Sequence, residues 1–188
     1  MVTKGHDFPG VTLVGVLQPD QGMDLPDFRA TERTYQLLEQ VAGRAGRGDR
    51  PGRVIIQTYR PENLAIQSAL THDYEGFVKA ELGHRRESDY PPYSRVILLR
   101  IDASTEEEAR AAASVAADAA RSTGGDAVRI RGPAPAPLER LRGRARWQVW
   151  LYSHDRSCLA AAARAAAATT RPGGDLRLFV DVDPQSVL

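Results

Sequence analysis

Four arginines, Arg44, Arg47, Arg50 and Arg53, recur every third residue through "QVAGRAGRGDRPG", with glycines beside them. On a helix, positions three apart share a face, so Arg44 and Arg47 would point the same way. Glycine removes side-chain bulk and lets the backbone approach whatever the guanidiniums hold. Arginine offers a planar fork of donors that keeps its charge and matches phosphate oxygens. The pattern predicts a phosphate grip. A second concentration follows near the C-terminal end, where Arg129, Arg131, Arg140, Arg142, Arg144 and Arg146 have only Glu139 among them as an acid. Arginine beside an exposed aromatic is a composition that grips backbone phosphates and stacks bases, and Trp147 and Trp150 lie close by. Those two tryptophans would fall on opposite faces of a strand, so at least one belongs to a core.

The elements that must position these groups fall into two halves. The chain has 188 residues and a net charge of +1, so a case for nucleic acid has to rest on local clusters. Cys158 is the single cysteine, which excludes an internal disulfide and a Cys-based zinc site and fits a reducing cytosol. No apolar run approaches the roughly 20 residues of a membrane span, and "MVTKGHDFPGVTLV" lacks the apolar core of a signal peptide. The expectation is a cytoplasmic protein with no membrane partner.

In the first half, "VTLVGVL" (residues 11–17) and "RVIIQTY" (53–59) have the character of buried strands. The intervening "QPDQGMDLPDF" is loop, and a helix is predicted from Arg29 to about Ala42 on the spacing of Tyr35, Leu37, Leu38 and Val41. Helices are expected over 63–70 and 73–87, and "DYPPYS" (89–94) is a rigid junction. Two strands and a few helices are too little for a doubly wound domain, so the half has the look of the end of a domain whose beginning is missing. The second half is regular: "RVILLRID", an alanine-rich helix over 105–121, "DAVRIRG", the loop "PAPAPLERLRGRA", "RWQVWLY", a helix over 156–169 and "LRLFVDV". That order is β-α-β-β-α-β, the split βαβ arrangement of an α+β ferredoxin-like domain. The predicted division is residues 1–89 and 90–188.

At the start, "TKGHDFPGVTLV" places Gly5 where a backbone could pass close to a ligand and Asp7 where it could accept from a ribose hydroxyl. Thr3 and Lys4 could meet a nucleic-acid phosphate. Some thirty residues on, "Gln40-x-x-Gly43-Arg44-x-Gly46-Arg47" has the spacing of motif VI of the superfamily 2 helicases, and the first segment resembles their motif V. Five long blocks, "MVTKGHDFPGVTLVGVL", "DFRATERTYQLLEQVAGRAGRGDRPGRVIIQTY", "HDYEGFVKAELGHRRESDYPPYSR", "GPAPAPLERLRGRARWQ" and "DVDPQSVL", resemble in order the C-terminal part of the bacterial primosomal protein N′ (PriA) family of replication-restart helicases.

The resemblance implies a partial RecA-like second motor lobe, giving an overall α/β class, followed by the ferredoxin-like domain. It implies that Arg44 and Arg47 act as arginine fingers against the γ-phosphate of ATP, with Gln40, Gly43 and Gly46 at the phosphates and Gly5 and Asp7 lining the nucleotide cleft. It implies an intact protein with ATP and Mg²⁺, zinc in a segment this chain lacks, and 3′-to-5′ unwinding at stalled forks and D-loops. Expected partners are forked or single-stranded DNA, other primosome proteins, and single-stranded DNA-binding protein near Arg156. Thr3 and Lys4 would touch the translocating strand, and Arg140, Arg142, Arg144 and Arg146 forked DNA.

The departures from the pattern matter equally. No GxxxxGK[ST] loop and no DExH-like motif occur in these residues, so this chain alone is expected to bind no cofactor and hydrolyse no ATP. The histidines are scattered, which predicts no metal site. The alternative is a non-enzymatic module that binds DNA or a partner through the second domain alone.

Overall fold

A computed structural model describes residues 11–43, 51–169 and 175–185. The chain divides into two units, Met1–His84 and Arg85–Leu188.

In the first unit, strands β1 (Leu13–Leu17) and β2 (Arg53–Gln57) pair in parallel, with Leu13 opposite Arg53 and Leu17 opposite Gln57. Parallel strands need a crossover. Here it runs through a short helix α1 (Asp20–Met23), which lies inside the segment expected to be loop, and α2 (Ala30–Ala42). The helix ends at Ala42, with the Gly43 N–H bonded to the Glu39 carbonyl at 3.0 Å. Tyr35 and Leu38 of α2 point inward, while Leu37 is exposed. They pack on Ala65, Ile66 and Ala69 of α3 (Leu64–Thr71) and on Phe77 of α4 (Tyr74–Glu87). Tyr35 and Phe77 stack with ring centroids 4.1 Å apart. Asn63 starts α3 by accepting from the Ala65 N–H at 2.9 Å, as an N-cap should. Val16 and Ile56 face this core; Leu13, Leu17 and Ile55, on the other side of the two strands, are exposed.

The second unit is α+β. Its elements are β3 (Arg95–Ala103), α5 (Glu106–Gly124), β4 (Arg129–Leu141), β5 (Arg144–Ser153), α6 (Arg156–Ala168) and β6 (Arg177–Val182). The four strands form one antiparallel sheet in the order β4-β5-β3-β6. Ile97, Leu99 and Ile101 of β3 and Val149 and Leu151 of β5 meet Ala113, Ala116, Ala117 and Ala120 of α5 and Ala162, Ala163 and Ala166 of α6. Single methyl groups on those faces let the helices sit close to the sheet and to each other. Thr105 caps α5 through the Glu108 N–H, and three glutamates fill its first turn, where the helix dipole favours them. Among the described residues no helix is long and apolar enough to cross a membrane.

A second segment differs from expectation. "PAPAPLERL" is not a loop: β4 runs through it, with the register shifting between Arg131 and Ala134 and again between Pro135 and Arg140. The shifts let an edge strand accommodate three prolines that cannot donate to a ladder.

Candidate nucleic-acid interface

Arg129, Arg131, Arg144 and Arg146 lie on the face of the β4–β5 hairpin turned away from the helices, whereas Arg140, opposite the helix-packed Ala145, falls on the other face. Ile130 packs into the helix-side core, so its neighbours Arg129 and Arg131 fall on the opposite face by the period of two. They are paired in register with Tyr152 and Trp150. The Arg129 guanidinium lies 4.9 Å from the Tyr152 ring centroid and donates to the Ser88 and Asp89 carbonyls at 3.3 and 3.0 Å. Arg131 lies over Tyr90 at 5.3 Å and Tyr152 at 5.6 Å and donates to the Tyr90 hydroxyl at 2.6 Å. Trp150 stacks beside Tyr152 and is buried, whereas Trp147 packs partly exposed against the helix-side core. His154 anchors the same junction, reaching the Tyr93 carbonyl at 2.9 Å and the Asp89 carboxylate at 3.0 Å.

The hairpin turns at Arg142 and Gly143, both with positive φ (51° and 79°), so Leu141 closes directly on Arg144. Two positive φ values in a two-residue loop suit the twist of the flanking strands. The four arginines around this turn have separate fates. Arg140 and Arg142 are exposed and form no ion pair with a described residue. Arg144 turns inward to the Asp175 carboxylate at 2.5 Å, the Asp175 carbonyl and the Asp102 carbonyl at 3.1 Å. Arg146 has a side chain only 3% exposed, 3.8 Å from the Asp102 carboxylate, which also accepts from Arg100 at 3.2 Å. Burial pushes the Arg146 pKa below its ordinary value, and Arg100 adds to the depression, while Asp102 opposes it. In the other direction, hydrogen bonds from Arg144 and Ser104 hold the Asp175 carboxyl below the usual range. A shallow depression beside the turn is lined by Glu106, Glu139 and Arg140, so its charge is mixed.

Arg156 is the exposed first residue of α6, whose N-cap Asp155 accepts from the Ser157 and Cys158 N–H groups at 2.7 and 3.0 Å. Gln40 is exposed on the last turn of α2, next to Gly43 at its end. Thr3, Lys4, Gly5, Asp7, Arg44, Gly46 and Arg47 lie outside the described residues. No cluster of possible metal ligands occurs among the described residues. Tyr90, Tyr152, Asp89 and Asp102 escaped the sequence reading. The alternation of Arg129, Arg131, Trp150 and Tyr152 could have flagged one shared face; Tyr90 and Asp102 arrive from remote segments and left no local signal.

Comparison with known proteins gives a consistent result. The family described as Primosomal protein N C-terminal domain matches residues 86–185. The Replication restart protein PriA of Bacillus subtilis (strain 168) is 49% identical over 150 residues, covering 79% of this chain and 18% of that protein. Its namesake from Synechocystis is 45% identical over 149 residues, with the same two coverages. That of Haemophilus influenzae is 37% identical over 188 residues, spanning 100% of this chain and 26% of the relative. The chain thus spans about a fifth to a quarter of the length of these curated relatives.

Proposed function

This chain belongs to the PriA family of primosomal proteins, matching its C-terminal part, and from that premise we infer that it serves replication restart as the DNA-contacting end of a helicase. In the intact protein the activity is ATP-dependent 3′-to-5′ unwinding at stalled forks and D-loops, followed by primosome assembly. The β1-α2-β2 parallel unit is read as part of a RecA-like motor lobe, and the strand order β4-β5-β3-β6 supports a ferredoxin-like second domain. Gln40, Gly43, Arg44, Gly46 and Arg47 would then face the phosphates of ATP, which the intact protein binds with Mg²⁺, Gly5 and Asp7 would line the nucleotide cleft, and Thr3 and Lys4 would touch the translocating strand. Zinc belongs to a segment outside these residues. Arg156 is the candidate contact for the tail of single-stranded DNA-binding protein. Without a Walker A loop the isolated chain hydrolyses no ATP, which a phosphate-release assay checks directly.

The observation that carries the DNA-binding part is the sorting of the hairpin arginines. Arg140 and Arg142 project into solvent without an acidic partner among the described residues, while Arg144 and Arg146 are consumed inside the unit. Phosphate contacts release counterions, so each one adds close to one unit to the slope of log affinity against log salt. The Arg140→Ala/Arg142→Ala variant should bind a forked DNA more weakly, with the salt slope shallower by about two. Fluorescence anisotropy across a salt series measures both quantities. An unchanged slope in a folded variant would remove the hairpin tip from the interface.

A further inference from the structure

Leu178 packs into the helix-side core, so its neighbours on β6 fall on the sheet face turned away from the helices: Arg177 and Phe179, and Asp181 two residues on. Their register partners on β3 are Asp102, Arg100 and Leu98, in that order. Phe179 is 41% exposed, a large ring open to water. The Arg100 guanidinium lies 4.3 Å from the centre of that ring. Its Nε donates to the Asp102 carboxylate at 3.2 Å, and its two terminal nitrogens form no hydrogen bond with a described residue. Arg177 and Asp181 are exposed and form no ion pair with a described residue. Asp102 is already engaged by Arg100 and Arg146.

An exposed ring with a guanidinium on it is a platform for the flat face of a base, and the guanidinium's remaining donors suit the phosphate beside that base. Only an unpaired base can offer its face, since a base inside a duplex is stacked on its neighbours. Same-face residues on a strand are about 7 Å apart, so Arg177 and Asp181 flank the ring on either side. Arg177 adds a second phosphate donor. Asp181, an acceptor when ionised, repels phosphate but takes a hydrogen bond from an exocyclic amine, as a carboxylate does from N4 of cytosine. The order Arg-Phe-Asp therefore separates the backbone end of a nucleotide from its base edge. The same row reaches towards the hairpin. Arg177 is opposite Asp102, and Asp102 is opposite Arg146, two residues beyond the start of β5 at Arg144. Two strand spacings, about 10 Å, separate β6 from β5 along it.

We propose that Phe179, Arg100, Arg177 and Asp181 form a subsite for one unpaired nucleotide of single-stranded DNA, with a preference for cytosine. The base stacks on Phe179 and donates its amine to Asp181, and the phosphate is held by Arg177 and Arg100. The subsite rests on the reading of this unit as DNA-binding but shares no residue with the hairpin tip. Phosphate contacts at the tip carry no base information. The Phe179 row supplies it, and it tells unpaired from paired DNA.

The test measures binding of the full 188-residue chain to labelled dC and dT homopolymers and to a blunt duplex, by fluorescence anisotropy across a salt series. Phe179→Leu keeps apolar bulk and removes the ring, while Phe179→Trp keeps the platform; circular dichroism checks both folds. Phe179→Leu should lose about fivefold or more in affinity for the dC homopolymer, by the same factor at every salt concentration. Its duplex affinity should not change, and Phe179→Trp should bind the homopolymer at least as well as wild type. The Arg140→Ala/Arg142→Ala variant acts instead on the salt slope, so failure of the tip and failure of this subsite are read separately. Wild type should prefer dC to dT. Asp181→Ala should tighten binding to both, by removing an acid, and abolish the preference. The proposal is overturned by a folded Phe179→Leu variant with unchanged dC affinity or an equal loss for duplex. It is overturned equally by a wild-type chain indifferent to base, or by a preference that survives Asp181→Ala.

Discussion

Asp102 decides which arginines of the hairpin belong to the fold and which are left for a ligand. Its carboxylate accepts from Arg100 and faces the buried Arg146, and its carbonyl takes Arg144. Removing one member of a buried pair strands the other charge away from water. Asp102→Ala should therefore cost about 3 kcal/mol of stability by urea unfolding, with Arg146 left uncompensated. In the proposed interface the same variant, held under folding conditions, should keep the salt slope for forked DNA. In the sequence Arg140, Arg142, Arg144 and Arg146 are equivalent members of one basic run. What separates them is Asp175, which takes Arg144, and Asp102, 44 residues before Arg146 and opposite it in the β3–β5 register. Period-two alternation was enough to put Arg129 and Arg131 on one face, but not to tell that Tyr90 would come from the preceding junction to meet them.

The helices were the most legible elements, because their signals are local. Thr105 and Asp155 sit where N-caps should, and α6 was expected over 156–169 and is found over Arg156–Ala168. Hydrogen bonds from the Ser157 hydroxyl and then from the Cys158 and Ser157 N–H groups hold the Asp155 carboxyl below its ordinary value. A carboxylate with a depressed folded-state pKa stabilises the protein above its unfolded value of about 3.9 and loses that contribution as pH falls through the folded one. Asp155→Ala should lower the melting temperature at neutral pH, a difference that shrinks below about pH 4. Thermal melts of the two proteins across that range test the sign. β4 was the least legible element, since three prolines resemble a loop and only the partner strand reveals the ladder. Gly132, at the first register shift, has φ of 97°, and an added Cβ would lie 2.8 Å from the Gln148 carbonyl oxygen. Gly132→Ala should therefore destabilise the second unit by about 2 kcal/mol or more, measurable by the same melts.

At the scale of the whole chain the two units are unequally finished. Parallel strands are ordinarily covered on both faces, yet β1 and β2 leave Leu13, Leu17 and Ile55 exposed, 58%, 75% and 50% respectively. The β-branched runs at 11–17 and 53–59 identify these strands but not that one side of each stays exposed, because that depends on what packs against them. Residues 85–188, which keep Arg86 stacked on Tyr93 and the Ser88 and Asp89 carbonyls under Arg129, should unfold in one cooperative step when expressed alone. In the full chain, amide exchange should be fastest to complete in 13–17 and 53–57 and slowest in β3 and β5. The alanine layer between α5, α6 and the sheet gives that second unit a lopsided tolerance to mutation. Each buried alanine has one methyl group to lose, so truncation there forfeits little beyond helix propensity, about 1 kcal/mol for glycine. Each has no room to gain, so larger side chains must push helix from sheet, at about 1–3 kcal/mol apiece. Replacement in these two helices is thereby confined by volume rather than by polarity, and hydrophobicity alone is a poor guide to which substitutions this unit survives.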